Sequence, residues 1–187
     1  MTTYRAEVQS TKVSGNFDLR RLYPDSYADT VEEFRQRGVS LPSIDDLKLK
    51  TEKDYWLLLS PVSIAITFTA PELGTALYIY HPGYITDLAR VPPALRGFTD
   101  DDAREVIPAA FVHDVNFDSH TCAFLPADRI FRGMIRKTGG SWWESFKYFI
   151  GVLSPVGYWD YNHPDATRSK WAMNNVSVIW PEAKLAS

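Results

Sequence analysis

Two apolar runs constrain the fold more than any other feature. From Tyr55 the chain reads YWLLLSPVSIAITF, and shortly afterwards ALYIYHPGYIT. Both runs are rich in β-branched and aromatic residues, which pack well on a pleated surface. Pro61, Pro71, Gly74, Pro82 and Gly83 interrupt them at short intervals. Proline cannot donate to a β-ladder and glycine supplies tight-turn conformations, so these positions mark strand ends. Residues 55–86 are therefore expected to form two to four antiparallel strands. The longest uncharged run, Tyr55 to Pro71, contains Pro61 and several hydroxyl side chains, and is too short and polar for a membrane helix.

Three helices are expected to follow. The first lies within Asp101–Phe117, with Thr99 and the acids 100–102 at its start. Pro108 either kinks it or opens its better half. The second runs from Pro126 to about Thr138. Pro126 suits a first turn, Arg136 and Lys137 suit the negative end of the helix dipole, and Gly139–Gly140 stop it. The third begins SWWESFKYFIGVL, where Ser141 and Glu144 form a capping-box pattern. Trp142, Phe146, Phe149, Ile150 and Leu153 recur at helical spacing and are expected to face the core.

The flanks are more polar. Residues 1–54 carry one expected helix near Asp29–Arg37, with Asp29 as its cap, followed by a loop at RGVSLPSIDD. So few apolar residues cannot form a core, and this region is expected to be an arm. Residues 55–160 form the expected core domain. Residues 161–187 form a C-terminal arm in which NNVSVIW has strand character. That strand either closes the sheet or pairs with another chain. The fold class is α+β: a small antiparallel sheet against about three helices, with an arm at each end.

The ionisable groups sit unevenly on this framework. In AAFVHDVNFDSH, His113 and Asp114 interrupt an apolar helix. At about 100° per residue, Ala103, Ile107, Ala110 and Phe111 share one face. Asp114 falls near the centre of that face, with His113 at its flank. A buried carboxylate must be paired, hydrogen-bonded or protonated. The pair thus either belongs to a site or holds a neighbouring loop in place. Asp118, His120 and Asp128 lie nearby in sequence; Asp128 also suits the first turn of the second helix. His and carboxylate groups together suit a divalent metal or acid–base chemistry, yet HExxH, CxxC, GxSxG and Gly-rich phosphate loops are all missing. His81 and His163, each beside proline, read as turn residues.

Global composition narrows the classes. With 45% hydrophobic and 23% charged residues, the chain is globular in type. Cys122 is its only cysteine, so neither an internal disulfide nor a cysteine zinc cluster can form, and Cys122 is read as structural. A net charge of −3 gives no general preference for nucleic acid or an anionic membrane. MTTYRAEVQS lacks the basic and apolar regions of a signal peptide.

Three segments taken in order, HPGYITDLARVP, AAFVHDVNF and ADRIFRGMIRKTGG, resemble the phage and prophage family known as domain of unknown function 1353. The resemblance spans roughly residues 55–160. It implies a small α+β domain, a phage setting, and a set of polar positions at Thr86, Asp87, His113, Asp114 and Asp128. Two positions depart from the family pattern. Arg90 replaces a serine before Val91–Pro92, and Phe117 replaces a tyrosine after the His–Asp pair. Arg90 is a candidate to neutralise Asp87 or Asp114, which would make the cluster a structural lock with Thr86.

The expected function is a structural or accessory protein of a bacteriophage virion, made in the host cytoplasm. It would belong to the tail or another appendage and bind other virion proteins or copies of itself. The expected interface residues are Trp171, Val176, Ile179 and Trp180; no cofactor, nucleic acid or membrane span is expected. The alternative is a metal-assisted hydrolase with catalytic residues Asp87, His113, Asp114 and Asp128 and a divalent metal, acting on a cell-envelope or nucleotide substrate.

Overall fold

A computed structural model describes residues 7–47, 55–88, 105–120, 122, 124–152, 158, 161–162 and 173–180. The fold is α+β, built on two antiparallel sheets. Strand β1 is Val8–Ser14, β2 Leu19–Leu22, β3 Tyr55–Leu58, β4 Val62–Phe68, β5 Thr75–Tyr80, β6 Ile85–Thr86 and β7 Val176–Ile179. The larger sheet has the order β1-β4-β5-β7 and the smaller β2-β3-β6.

The expected strand segment 55–86 supplies β3 to β6. Period-two alternation is clearest in β4, where Val62, Ile64, Ile66 and Phe68 are buried and the residues between them are half-buried. In β5 the inward positions are Ala76, Tyr78 and Tyr80. Helices α3 (Ile107–Ser119), α4 (Phe124–Lys137) and α5 (Trp142–Val152) complete the main core. Phe111 of α3 sits at its centre, with ring centroids 4.9, 5.1 and 5.3 Å from Phe17, Tyr80 and Tyr84. A second, smaller core joins the β2-β3-β6 sheet to α1 (Tyr27–Gln36) and α2 (Ile44–Leu47) through Leu22, Tyr27, Phe34, Leu47, Tyr55, Leu57 and Ile85.

Several sequence expectations hold in detail. Pro108 lies at the start of α3 and Pro126 in the first turn of α4. The Ser141–Glu144 box is formed: the Glu144 N–H donates to Ser141 Oγ at 3.1 Å, and the Ser141 N–H donates to Glu144 Oε2 at 2.7 Å. Gly139 follows α4 at φ +113°, a conformation that favours glycine.

Several expectations need correction. The segment read as an N-terminal arm is integral to the fold. Strand β1 pairs along β4, β2 pairs with β3, and α1 and α2 cover the second core. Val8 is buried against α4, where a Cβ on Gly133 would stand 3.0 Å from Val8 Cγ2, so glycine permits the close approach of helix and strand. Helix α1 begins at Tyr27 with Ser26 as its N-cap, so Asp29 lies inside the first turn and is not the cap. The segment read as a loop contains α2, started by Ser43, whose Oγ accepts from the Asp46 N–H at 3.1 Å.

In the C-terminal half the sheet-closing alternative is the one realised, and two other expectations are corrected. Strand β7 pairs with β5 of the same chain, from Leu77–Ile179 to Tyr80–Val176. Val176 is buried, and Trp180 stacks on Phe68 at 5.9 Å and meets Tyr78 edge-on at 6.1 Å. These two expected interface anchors serve the protein's own core; Ile179 is exposed. The aromatic stripe of α5 is only partly turned inward: Phe146 and Phe149 are half-buried. The residues that α5 buries are Ser145, Tyr148 and Val152, while Trp142, Trp143 and Ile150 are exposed. Arg90, Leu153, His163 and Trp171 lie outside the described residues.

Candidate functional site

Three elements bring the polar residues together. Strand β6 ends at Thr86, the middle of α3 carries His113 and Asp114, and the first half of α4 carries Asp128. Their exposures are 1% for Thr86, 6% for His113, 4% for Asp114 and zero for Asp128. Asp87 follows Thr86 and is half-buried. The helical-wheel placement of Asp114 on the core face therefore matches its burial.

Each polar group has a defined role in holding the others. Thr86 Oγ1 donates to Asp114 Oδ2 and accepts from the Leu88 N–H at 2.9 Å. Leu88 has φ +56°, which is unusual for a side chain of its size. The Thr86 hydroxyl thus fixes a strained turn on one side and a helix carboxylate on the other. His113 Nε2 donates to Asp128 Oδ1 at 3.0 Å, tying α3 to α4. Nδ1 of the same ring stands 3.9 Å from Asp114 Oδ1. That separation is beyond hydrogen-bond reach, so Asp114 acts on the ring through charge and Asp128 through a directed bond. Phe117 and Phe131 flank the imidazole, with centroids at 5.2 and 5.1 Å.

Burial disfavours the charged imidazole, but the two carboxylates outweigh it and hold His113 up at about 9. The two acids thus favour the imidazolium, and a histidine whose charged form is favoured is a weaker general base near neutral pH. Cys122 is also poorly suited to nucleophilic attack, because burial, reinforced by the Asp128 charge, pushes its thiol up to about 12. His120 is not part of the cluster. It ends α3 in a left-handed conformation and stacks on Tyr161 at 4.4 Å.

The sequence reading missed one partner. Asn116 is fully buried, and its Oδ1 accepts from the Tyr78 hydroxyl at 2.9 Å. The only available signal was the inward phase of Tyr78 in β5, which requires a buried acceptor. Among the described residues, His113 Nδ1, Asn116 Nδ2, Asp128 Oδ2 and the Tyr80 hydroxyl are buried without a hydrogen-bond partner. Also among the described residues, no group of three or more His, Cys, Asp or Glu side chains is placed to hold a metal ion, and no helix is long and apolar enough to cross a membrane.

Residues 65–152 match the family described as "Protein of unknown function (DUF1353)". The matched segment contains Thr86, Asp87, His113, Asp114 and Asp128, and runs from β4 through α5. No curated protein and no solved structure matches the chain.

Proposed function

We propose that this chain, which carries a DUF1353 domain over residues 65–152, is a non-catalytic structural or accessory component of a bacteriophage particle. It belongs to the tail or another appendage and works by binding neighbouring virion subunits or copies of itself. The phage setting is implied by the motif resemblance. The structural role is supported chiefly by the closure of the polar cluster. Thr86, His113, Asp114 and Asp128 are all nine-tenths or more buried, and two bonds cross between elements, Thr86 to Asp114 joining β6 to α3 and His113 to Asp128 joining α3 to α4. An enzyme needs reactive groups that a substrate can reach; here the polar groups link structural elements.

The test is the composition of purified particles from the phage that encodes the chain. Quantitative mass spectrometry of washed virions should find it at a fixed ratio to the major structural proteins. Its absence from washed particles would remove the proposal.

One observation favours the hydrolase alternative. His113 Nδ1 and Asp128 Oδ2 are buried polar atoms without partners, and such atoms occur where a water or reactant is held. That reading uses Asp87, His113, Asp114 and Asp128 with a divalent metal. Stoichiometric zinc or manganese in the purified protein would favour it over the structural proposal.

A further inference from the structure

Helix α5 buries a narrow strip and exposes an aromatic ridge. Ser145, Tyr148 and Val152 face the core, whereas Trp142 is 52% and Trp143 59% exposed, and Ile150 is exposed beyond them. The ridge is ordered by its own stacking. The Phe146 ring lies 5.2 Å from Trp142 at an interplanar angle of 5°, and 5.9 Å from Trp143 at 24°. Two adjacent tryptophans left in water are an unfavourable use of large apolar side chains unless something covers them.

The surroundings of the ridge identify the occupant by charge. Arg129 and Arg136 are exposed on α4, Arg132 between them stacks over the Phe149 ring of α5 at 5.4 Å, and exposed Lys137 closes the helix. Spacings of three and four residues place the three arginines on one face of α4. Glu144 is exposed, but its carboxylate accepts the Ser141 N–H at the start of α5. The chain as a whole carries a net charge of −3, yet the exposed charges of α4 are the cations Arg129, Arg136 and Lys137, with Glu105 beside Gly139 at the helix end.

We propose that the α4–α5 face docks on an anionic membrane surface. Trp142 and Trp143 enter the boundary between headgroups and acyl chains, and Arg129, Arg136 and Lys137 meet lipid phosphates. Tryptophan beside cations is the composition that suits this boundary. A basic patch near anionic lipid gains attraction from each cation. A protein partner would need a pocket shaped to the ridge, whereas fluid headgroups conform to it.

The experiment is flotation of the full chain with vesicles of phosphatidylglycerol mixed with phosphatidylcholine, and with phosphatidylcholine alone. Binding is expected only to the anionic vesicles, with a blue shift of tryptophan fluorescence. Trp142→Ser with Trp143→Ser should abolish the shift and weaken binding at least about tenfold, since each indole loses a large buried area. Arg136→Gln with Lys137→Gln should weaken binding by about fivefold per cation. Because all four side chains are exposed, thermal unfolding should stay close to that of the parent. The proposal is overturned if anionic vesicles do not bind, if binding survives both variants, or if phosphatidylcholine alone binds equally well. It is also overturned if the tryptophans instead drive self-association or binding to a single-stranded oligonucleotide in the absence of vesicles.

Discussion

Asp128→Asn offers the most direct measurement of what the polar cluster contributes. The side chain keeps its shape and loses its charge. In the parent, His113 titrates at about 9 in the folded state against an ordinary value of 6.5. Each pH unit of elevation is worth about 1.4 kcal/mol, so the native preference for the imidazolium is on the order of 3 kcal/mol. The folded state holds the proton more tightly than the unfolded chain. This stabilisation is therefore complete below pH 6.5, declines as pH rises, and is lost above about 9. Removing one member of a buried ion pair costs about 3–5 kcal/mol. The Asn amide oxygen can still accept from Nε2, which puts the expected loss near the lower end, about 3 kcal/mol. Urea unfolding of the parent and Asp128→Asn, followed across the window from 6.5 to about 9, should show this gap at its acid side. The gap should narrow as His113 becomes neutral in both proteins. A gap below about 0.5 kcal/mol at the acid side, the range of an ordinary surface change, would refute the imidazolium lock. So would a parent whose stability does not fall with rising pH across the window.

Two further outcomes follow from packing. Ending the chain after residue 172 removes β7, which pairs with β5, and Trp180, which stacks on Phe68. The shortened chain should unfold several kcal/mol more easily, because a half-buried tryptophan, buried Val176 and one edge of ladder hydrogen bonds are lost together; a thermal midpoint unchanged from the parent would show that β7 is dispensable. Cys122 is buried with its thiol pushed up to about 12, so a thiol-specific reagent at neutral pH should react slowly with the native chain and rapidly in urea, and equal rates would contradict its burial.

The elements that announce themselves in the sequence are those specified by local chemistry. The start of α5 is fixed by Ser141 and Glu144, whose side chains complete each other's backbone bonds within one turn. The alternation of β4 is visible because one face meets a core along the whole strand. The inward position of Asp114 follows from helical phase alone. Its hydrogen-bond partner is less local: the resemblance put Thr86 in the same set, but only the fold brings β6 to α3.

Tertiary structure decided the rest. Strand β1, VQSTKVS, buries only Val8 and is held chiefly by main-chain bonds to β4. Every residue type except proline can supply those bonds, so they leave little trace in a polar sequence. The same applies to β7, which read equally well as a closing strand or an intermolecular one until β5 was seen to take it. For α5, hydrophobic spacing favours Trp142, Phe146 and Ile150, but the buried positions are Ser145, Tyr148 and Val152, with Tyr148 meeting Phe131 of α4 edge-on. Periodicity establishes that a helix has an apolar stripe; which stripe is buried depends on the shape of the surface that meets it.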